Sequence, residues 1–115
     1  MQISVTGRHV DITDAIRHYA HEKLDALSDF PRVENVHMIL DVEKYRHHAE
    51  VVVQAKNHIR VDAKEESDNM YASIDGAVSK AYKQLRRLRD KVQDHKARGG
   101  KPAGKELAGE AGGVA

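Results

Sequence analysis

Residues 36–64 read VHMILDVEKYRHHAEVVVQAKNHIRVDAK, and apolar and polar side chains alternate along three segments of this stretch. The apolar sides of the three segments are formed in turn by Val36, Met38, Leu40 and Val42; by Ala49, Val51, Val53 and Ala55; and by Ile59, Val61 and Ala63. Alternation with a period of two predicts three strands, each with one buried and one solvent-facing side. A tight turn is predicted at Lys56-Asn57, because Asn tolerates positive φ.

Two helices are predicted on either side of these strands. Thr13 is placed to cap a helix that runs to about Ser28. Asp68 and Asn69 offer caps for a long helix that extends to about Arg98. Its apolar sector is formed by Ile74, Ala77, Val78, Ala81, Leu85, Leu88 and Val92.

A fourth strand is predicted at the N-terminus, where Ile3 and Val5 alternate with polar residues up to Gly7. The element order is then β-α-β-β-β-α. The predicted fold class is a two-layer α+β domain, with a four-stranded mixed sheet and both helices on one face. The first two strands are expected to pair in parallel and the others as an antiparallel meander.

Length and composition set the domain organisation and exclude several classes of protein. The 115 residues suit one domain, predicted at 1–98. Residues 99–115 hold six of the eight glycines and are predicted to be a disordered tail. There is no cysteine, no apolar run long enough to span a membrane and no recognisable secretory signal, so a cytoplasmic protein is expected.

Charge is unevenly distributed, although the formal net charge is only +1. Residues 1–78 carry 9 basic and 14 acidic side chains, whereas residues 79–98 carry 8 basic and 2 acidic ones. Four cations of the second group lie at spacings of three, four and four on the predicted helix, and we call them the basic ridge: Lys80, Lys83, Arg87 and Lys91. Such a ridge predicts binding to nucleic-acid phosphates, with Arg86 and Arg98 as further candidates.

Two other interpretations of the charged residues stay open at this point. The ridge is also compatible with an ordinary solvated helix face, although complementing the helix dipole explains only cations of the last turn. The solvent-facing side of the sheet collects His37, Asp41, Glu43, His48, Glu50, His58 and Asp62, which allows the alternative of a metal-dependent hydrolase. No helical His spacing supports that alternative, and no nucleophile elbow or phosphate-binding Gly loop is present in the sequence.

Several colinear segments, within residues 1 to about 96, resemble one known family. They are MQISVTG (1–7), ITDAIR (12–17), DVEK (41–44), NMYASID (69–75) and the pattern of Lys80, Lys83-Gln84-Leu85 and Arg87. Together they resemble the bacterial ribosome hibernation promoting factor family, which includes the ribosome-associated inhibitor. Asn69 stands where the family has Asp, and Asn caps a helix about equally well.

The resemblance implies a fold, a function and a set of contacts. It implies the β-α-β-β-β-α layout, similar to that of double-stranded RNA-binding domains. It also implies a non-enzymatic inhibitor, with no cofactor, that binds the small ribosomal subunit at the decoding channel in stationary phase or stress. There it would exclude mRNA and A- and P-site tRNA. The ridge would contact ribosomal RNA, and Lys23 and Lys44 match further family lysines.

The resemblance leaves the behaviour of bound ribosomes open. The chain resembles the short form of the family, a monomer off the ribosome. Short promoters assist ribosome dimerisation together with a ribosome modulation factor, whereas the inhibitor keeps ribosomes single. A general double-stranded RNA-binding module that acts off the ribosome remains the alternative function.

Overall fold

The sheet of this computed structural model contains four strands in the order β1-β2-β3-β4. They are β1 (Gln2–Arg8), β2 (Val33–Glu43), β3 (Arg46–Ala55) and β4 (Ile59–Ser67). β1 pairs with β2 in parallel, and the other two pairings are antiparallel. The predicted mixed sheet is therefore confirmed. The structure describes residues 1–97, with side chains described as far as 91, so the predicted tail lies outside the described residues.

Helix α1 (Asp14–Leu24) begins as predicted, because the Thr13 hydroxyl accepts the backbone N–H of Ile16 at 3.1 Å. Its predicted end was wrong. The α-helix stops at Leu24 and continues as a 3-10 helix (Asp25–Asp29). Leu24 and Leu27, three residues apart, are both fully buried. A 3-10 helix repeats every three residues and so keeps both side chains on the core side.

Helix α2 (Met70–Ala97) follows β4 and has 28 residues. The core lies between the helices and the inward faces of the strands, where Met38, Val51 and Ile74 have no exposed area. The predicted α+β fold with both helices on one face of the sheet is thus confirmed. We call the opposite, uncovered side of the sheet the open face.

The buried part of α2 ends earlier than the apolar pattern predicted. Leu85 is buried, whereas Leu88 is 38% exposed. A helix of 28 residues is about 42 Å long, whereas strands of 7–11 residues span only about 23–37 Å. The chain divides into two units, Met1–Leu85 and one that begins at Arg86, and the core described above belongs to the first.

Candidate nucleic-acid interface

Two short polar side chains fix the N-terminus of α2, one as a helix cap and the other as a contact with β3. The Asn69 side-chain oxygen accepts the N–H groups of Tyr71 and Ala72 at 2.9 and 3.2 Å, as the capping prediction required. Ser73, which is fully buried, donates its hydroxyl to the carbonyl of His47 on β3 at 2.7 Å. These bonds set where α2 begins and which of its faces meets the sheet.

Further along, α2 is attached to the edge strand β4. Lys80 Nζ donates to the carbonyl of Lys64 at 2.9 Å, and Gln84 Nε2 donates to the carbonyl of Asp62 at 3.2 Å. A strand at the edge of a sheet has carbonyls that no neighbouring strand can satisfy. Two side chains of α2 supply those missing donors, and they fix which helix face points away from β4.

Lys80 also forms an ion pair, which the spacing argument did not anticipate. Its ammonium lies 2.7 Å from Glu65 Oε1, and its side chain is 54% exposed. The first cation of the basic ridge is therefore partly neutralised by a carboxylate of the same domain.

The other ridge cations have no such partner in the part of the chain that the structure describes. Lys83 is exposed in the unit that ends at Leu85, and Arg87 and Lys91 are exposed in the unit that begins at Arg86. Among the residues that the structure describes, none of these three forms a recorded ion pair or side-chain hydrogen bond. Their charge is consequently available to a polyanion.

The additional candidates differ in how accessible they are. Arg86 is exposed on α2. Lys23 on α1 is exposed, but its ammonium lies 3.7 Å from Asp75 and 5.4 Å from the centre of the Tyr19 ring. Asp75 also accepts the Tyr19 hydroxyl at 2.7 Å, and this bond is the main reason why the pKa of Tyr19 is raised. Lys23 thus already contacts charged and aromatic side chains at the place where the two helices meet. Arg98 lies outside the described residues.

Lys44 occupies the two-residue turn between β2 and β3 and has φ 56°. This is the left-handed region, which favours Gly, Asn or Asp over a long side chain. The next residue, Tyr45, is 73% exposed. The turn therefore presents a cation and an aromatic ring to solvent, at some cost in backbone energy.

The open face does not assemble the metal site of the hydrolase alternative. Within residues 1–97, no group of three His, Cys, Asp or Glu side chains is placed to hold a metal ion. His37 lies 2.9 Å from the Thr6 hydroxyl, and His48 lies between two carboxylates at 3.5 and 3.8 Å. His58, predicted on the third strand of the meander, instead belongs to the preceding turn with φ 62°. The alternation correctly placed the other candidate residues on the open face, but the turn that begins at Lys56 is one residue longer than predicted.

Charged side chains on the open face pair with each other. Arg46 Nε donates to Glu66 at 2.6 Å, which lowers the pKa of the Glu66 carboxyl and raises that of Arg46. His9 lies 3.1 Å from Asp41, and this hydrogen bond lowers the pKa of Asp41. The open face is therefore a mixed-charge surface without a concentration of unpaired cations comparable to that on α2.

Sequence reasoning missed Glu65 and Gly76. Both lie beside Lys80, and a Cβ at Gly76 would meet the Glu65 side chain. The available signal was a glycine in the interior of a predicted helix, four residues before a ridge lysine.

Comparison with known proteins identifies the family. The family model described as "Sigma 54 modulation protein / S30EA ribosomal protein" matches residues 3–93. The chain belongs to this family. It is similar to the ribosome hibernation promoting factor of Salmonella typhimurium, with 36% identity over 96 residues that cover 83% of this chain and all of that protein. The resemblance read from the sequence segments is thereby confirmed.

Two solved structures share the fold. A ribosomal subunit interface protein from Coxiella burnetii matches with a TM-score of 0.72 and 29% identity, over 78% of this chain and 99% of that one. The N-terminal domain of Protein Y from Thermus thermophilus matches with a TM-score of 0.71 and 34% identity, over 77% of this chain and all of that one. A ribosome-associated role in hibernation and translation regulation follows from the family. Neither described helix is apolar enough over a sufficient length to cross a membrane.

Proposed function

We propose that this protein silences translation by binding the small ribosomal subunit at its decoding channel. The basic ridge contacts ribosomal RNA phosphates, and the bulk of the domain excludes mRNA and A- and P-site tRNA. The observation that supports this most directly is a set of exposed cations on α2 that have no recorded partner among the described residues, namely Lys83, Arg87 and Lys91. Residues 1–78 of the same chain carry a net charge of −5.

The inhibition is competitive occupancy, with no covalent chemistry and no cofactor. Lysine and arginine displace counterions from the RNA backbone, so the affinity falls steeply as salt rises. Contacts to phosphates carry no base information, so recognition depends on the shape of the RNA channel. The protein acts in the cytoplasm as a monomer off the ribosome, in stationary phase or stress.

Bound ribosomes are held inactive, either as single particles or as dimers formed with a ribosome modulation factor. Sucrose-gradient sedimentation of ribosomes, with the protein and with or without such a factor, measures the dimer fraction. A dimer peak that requires both proteins indicates the promoter behaviour. Single ribosomes that stay inactive in the presence of both indicate the inhibitor behaviour.

Co-sedimentation with small subunits tests the proposed contact. The double variant Lys83→Glu, Arg87→Glu reverses two exposed charges that have no recorded partner within the described side chains. Loss of co-sedimentation, with an unfolding midpoint that does not fall, is the expected result. The matched control reverses Arg8 and Lys64 on the open face and is expected to leave binding nearly intact. Retained binding by the α2 variant would show that the contact lies elsewhere.

A general double-stranded RNA-binding module acting off the ribosome remains the second candidate, because the layout resembles that of such modules. The two functions predict different ratios between the affinity for small subunits and the affinity for a free RNA duplex, both measured at the same salt concentration. A ribosome inhibitor binds small subunits far more tightly than a free RNA duplex, because only the channel fits the whole domain. Equal affinities favour the general module.

A further inference from the structure

Two residues near the ridge fit poorly in their own secondary-structure elements. Glu65 follows Val61 and Ala63 on the side of β4 that faces the helices, where apolar residues are expected. Gly76 lies in the interior of α2, where glycine is among the least favourable residues. A residue type that is unfavourable in its own strand or helix is expected mainly where function or close packing requires it.

The two unfavourable residues, Glu65 and Gly76, lie directly against each other. A Cβ atom at Gly76 would lie 2.6 Å from Glu65 Cγ and 2.7 Å from Glu65 Oε2. Any other residue at position 76 would therefore displace the Glu65 side chain from its present path. The glycine leaves the space in which the glutamate lies across the surface of α2.

From that position Glu65 reaches Lys80, one helical turn beyond Gly76. The carboxylate accepts from Lys80 Nζ at 2.7 Å, and the carbonyl of Lys64 accepts from the same ammonium at 2.9 Å. An ammonium group has three donors, so two are already used and one remains. The corresponding side chain on the next turn, Lys83, has no recorded partner among the described residues.

We propose that Glu65 is a specificity-determining residue for RNA binding, an internal carboxylate that occupies Lys80 in the place a phosphate would take. The proposal rests on the proposed function, in which the basic ridge binds ribosomal RNA. A phosphate that approaches Lys80 must displace Glu65 or tolerate its negative charge. An RNA surface that is already held by the rest of the domain presents its phosphate to Lys80 at high local concentration. Such a phosphate can therefore displace Glu65. A loosely bound polyanion gains little from Lys80, and unspecific binding is weakened.

A purely structural role for the pair predicts a different outcome. If Glu65 serves only to tie β4 to α2, its substitution lowers stability and leaves RNA affinity unchanged or weaker. If it competes with phosphate, removing its charge strengthens binding. Glu65→Gln separates the two roles, because glutamine keeps the length of the side chain and an oxygen that accepts from Lys80.

The test is a double-mutant cycle with an RNA duplex of about 16 base pairs, a length that matches the span of double-stranded RNA-binding domains. Dissociation constants are measured at fixed low salt for the wild type, Glu65→Gln, Lys80→Gln and the double variant. Glu65→Gln is expected to bind about two- to fivefold more tightly, as suits a partly exposed ion pair. The same change in the Lys80→Gln background is expected to have little effect.

Two further variants separate local competition from overall charge. Glu66→Gln removes one carboxylate from the adjacent residue and is expected to change affinity less than Glu65→Gln does. Gly76→Ala removes no charge but pushes the Glu65 carboxylate aside, so it is expected to strengthen binding as well. Equal effects of Glu65→Gln with and without Lys80, or weaker binding by either Glu65→Gln or Gly76→Ala, would overturn the proposal.

Dissociation constants of the same variants for small subunits test the role of Glu65 separately from the proposed function. Glu65→Gln is expected to raise the affinity for the duplex more than that for small subunits, so the ratio of the two affinities falls. If wild-type protein prefers duplex over small subunits while the cycle gives the expected coupling, the proposed function fails and the role of Glu65 stands. If small subunits are bound tightly but the cycle shows no coupling, only the role of Glu65 is refuted.

Discussion

Replacing Lys83, Arg87 and Lys91 together with glutamine is expected to weaken the salt dependence of RNA binding by a calculable amount. Each side chain is exposed and has no recorded ion pair among the described residues, so each substitution removes a charge without breaking an ion pair within that part of the chain. A cation that neutralises one phosphate contributes about 0.9 to the slope of log K against log salt. The triple variant should therefore have a slope less negative by roughly 2.7.

The same change is expected to raise stability. The three substitutions remove four like-charge pairs three or four residues apart on α2, namely Lys80/Lys83, Lys83/Arg86, Lys83/Arg87 and Arg87/Lys91. They also remove two opposite-charge pairs three residues apart, Arg87/Asp90 and Lys91/Asp94, so the net relief is that of two pairs at about 0.2–0.5 kcal/mol each. Glutamine has nearly the same helix propensity as lysine and arginine. Relief of two repulsive pairs amounts to roughly 0.4–1 kcal/mol, which corresponds to a rise in Tm of about 2–8 °C for a domain of this size.

The assay is titration of small subunits or an RNA duplex at a series of potassium chloride concentrations, with thermal unfolding of the same samples. The control variant replaces Arg8, Arg60 and Lys64 on the open face with glutamine, which removes the same total charge. An equal change of slope in both variants would refute the assignment of the ridge, because it would show a dependence on net charge alone. A fall in Tm of the ridge variant would show that these side chains support the fold.

Three further predictions concern stability and the turn between β2 and β3. Ser73→Ala is expected to cost roughly 0.5–1.5 kcal/mol in urea denaturation, because it removes the hydrogen bond that this buried hydroxyl donates to the carbonyl of His47. Lys44→Gly is expected to stabilise the protein by up to about 1 kcal/mol by relieving positive φ, and to weaken RNA binding if this lysine contacts phosphate. Glu66 has a lowered pKa in the folded protein, so its contribution is present above about pH 4.3 and is lost as pH falls through the folded value. Arg46→Gln should therefore reduce the fall of Tm with falling pH in that range. An unchanged profile of Tm against pH would contradict the pairing of Arg46 with Glu66.

Much of the fold was predictable because local patterns reflect short-range physics. Alternation with a period of two assigned the buried sides of β2, β3 and β4, since successive side chains in a strand point to opposite faces. Thr13 and Asn69 were recognisable as caps because their side chains bond to backbone groups only two or three residues away. The 3-10 continuation after Leu24 and the length of the turn at His58 escaped prediction, because small local energy differences decide them.

The site was only partly predictable. That the cations gather on one helix follows from the order of the residues alone, because charge and spacing can be read directly from it. It could not distinguish Lys80 from Lys83, which have the same type of side chain and equivalent places in the spacing. The packing of β4 beside α2 gives Lys80 its partner Glu65, while Lys83 has no recorded partner among the described residues. Glu65 is 15 residues away from Lys80 in the chain, and it reaches Lys80 only because β4 packs beside α2 and Gly76 leaves room for its side chain.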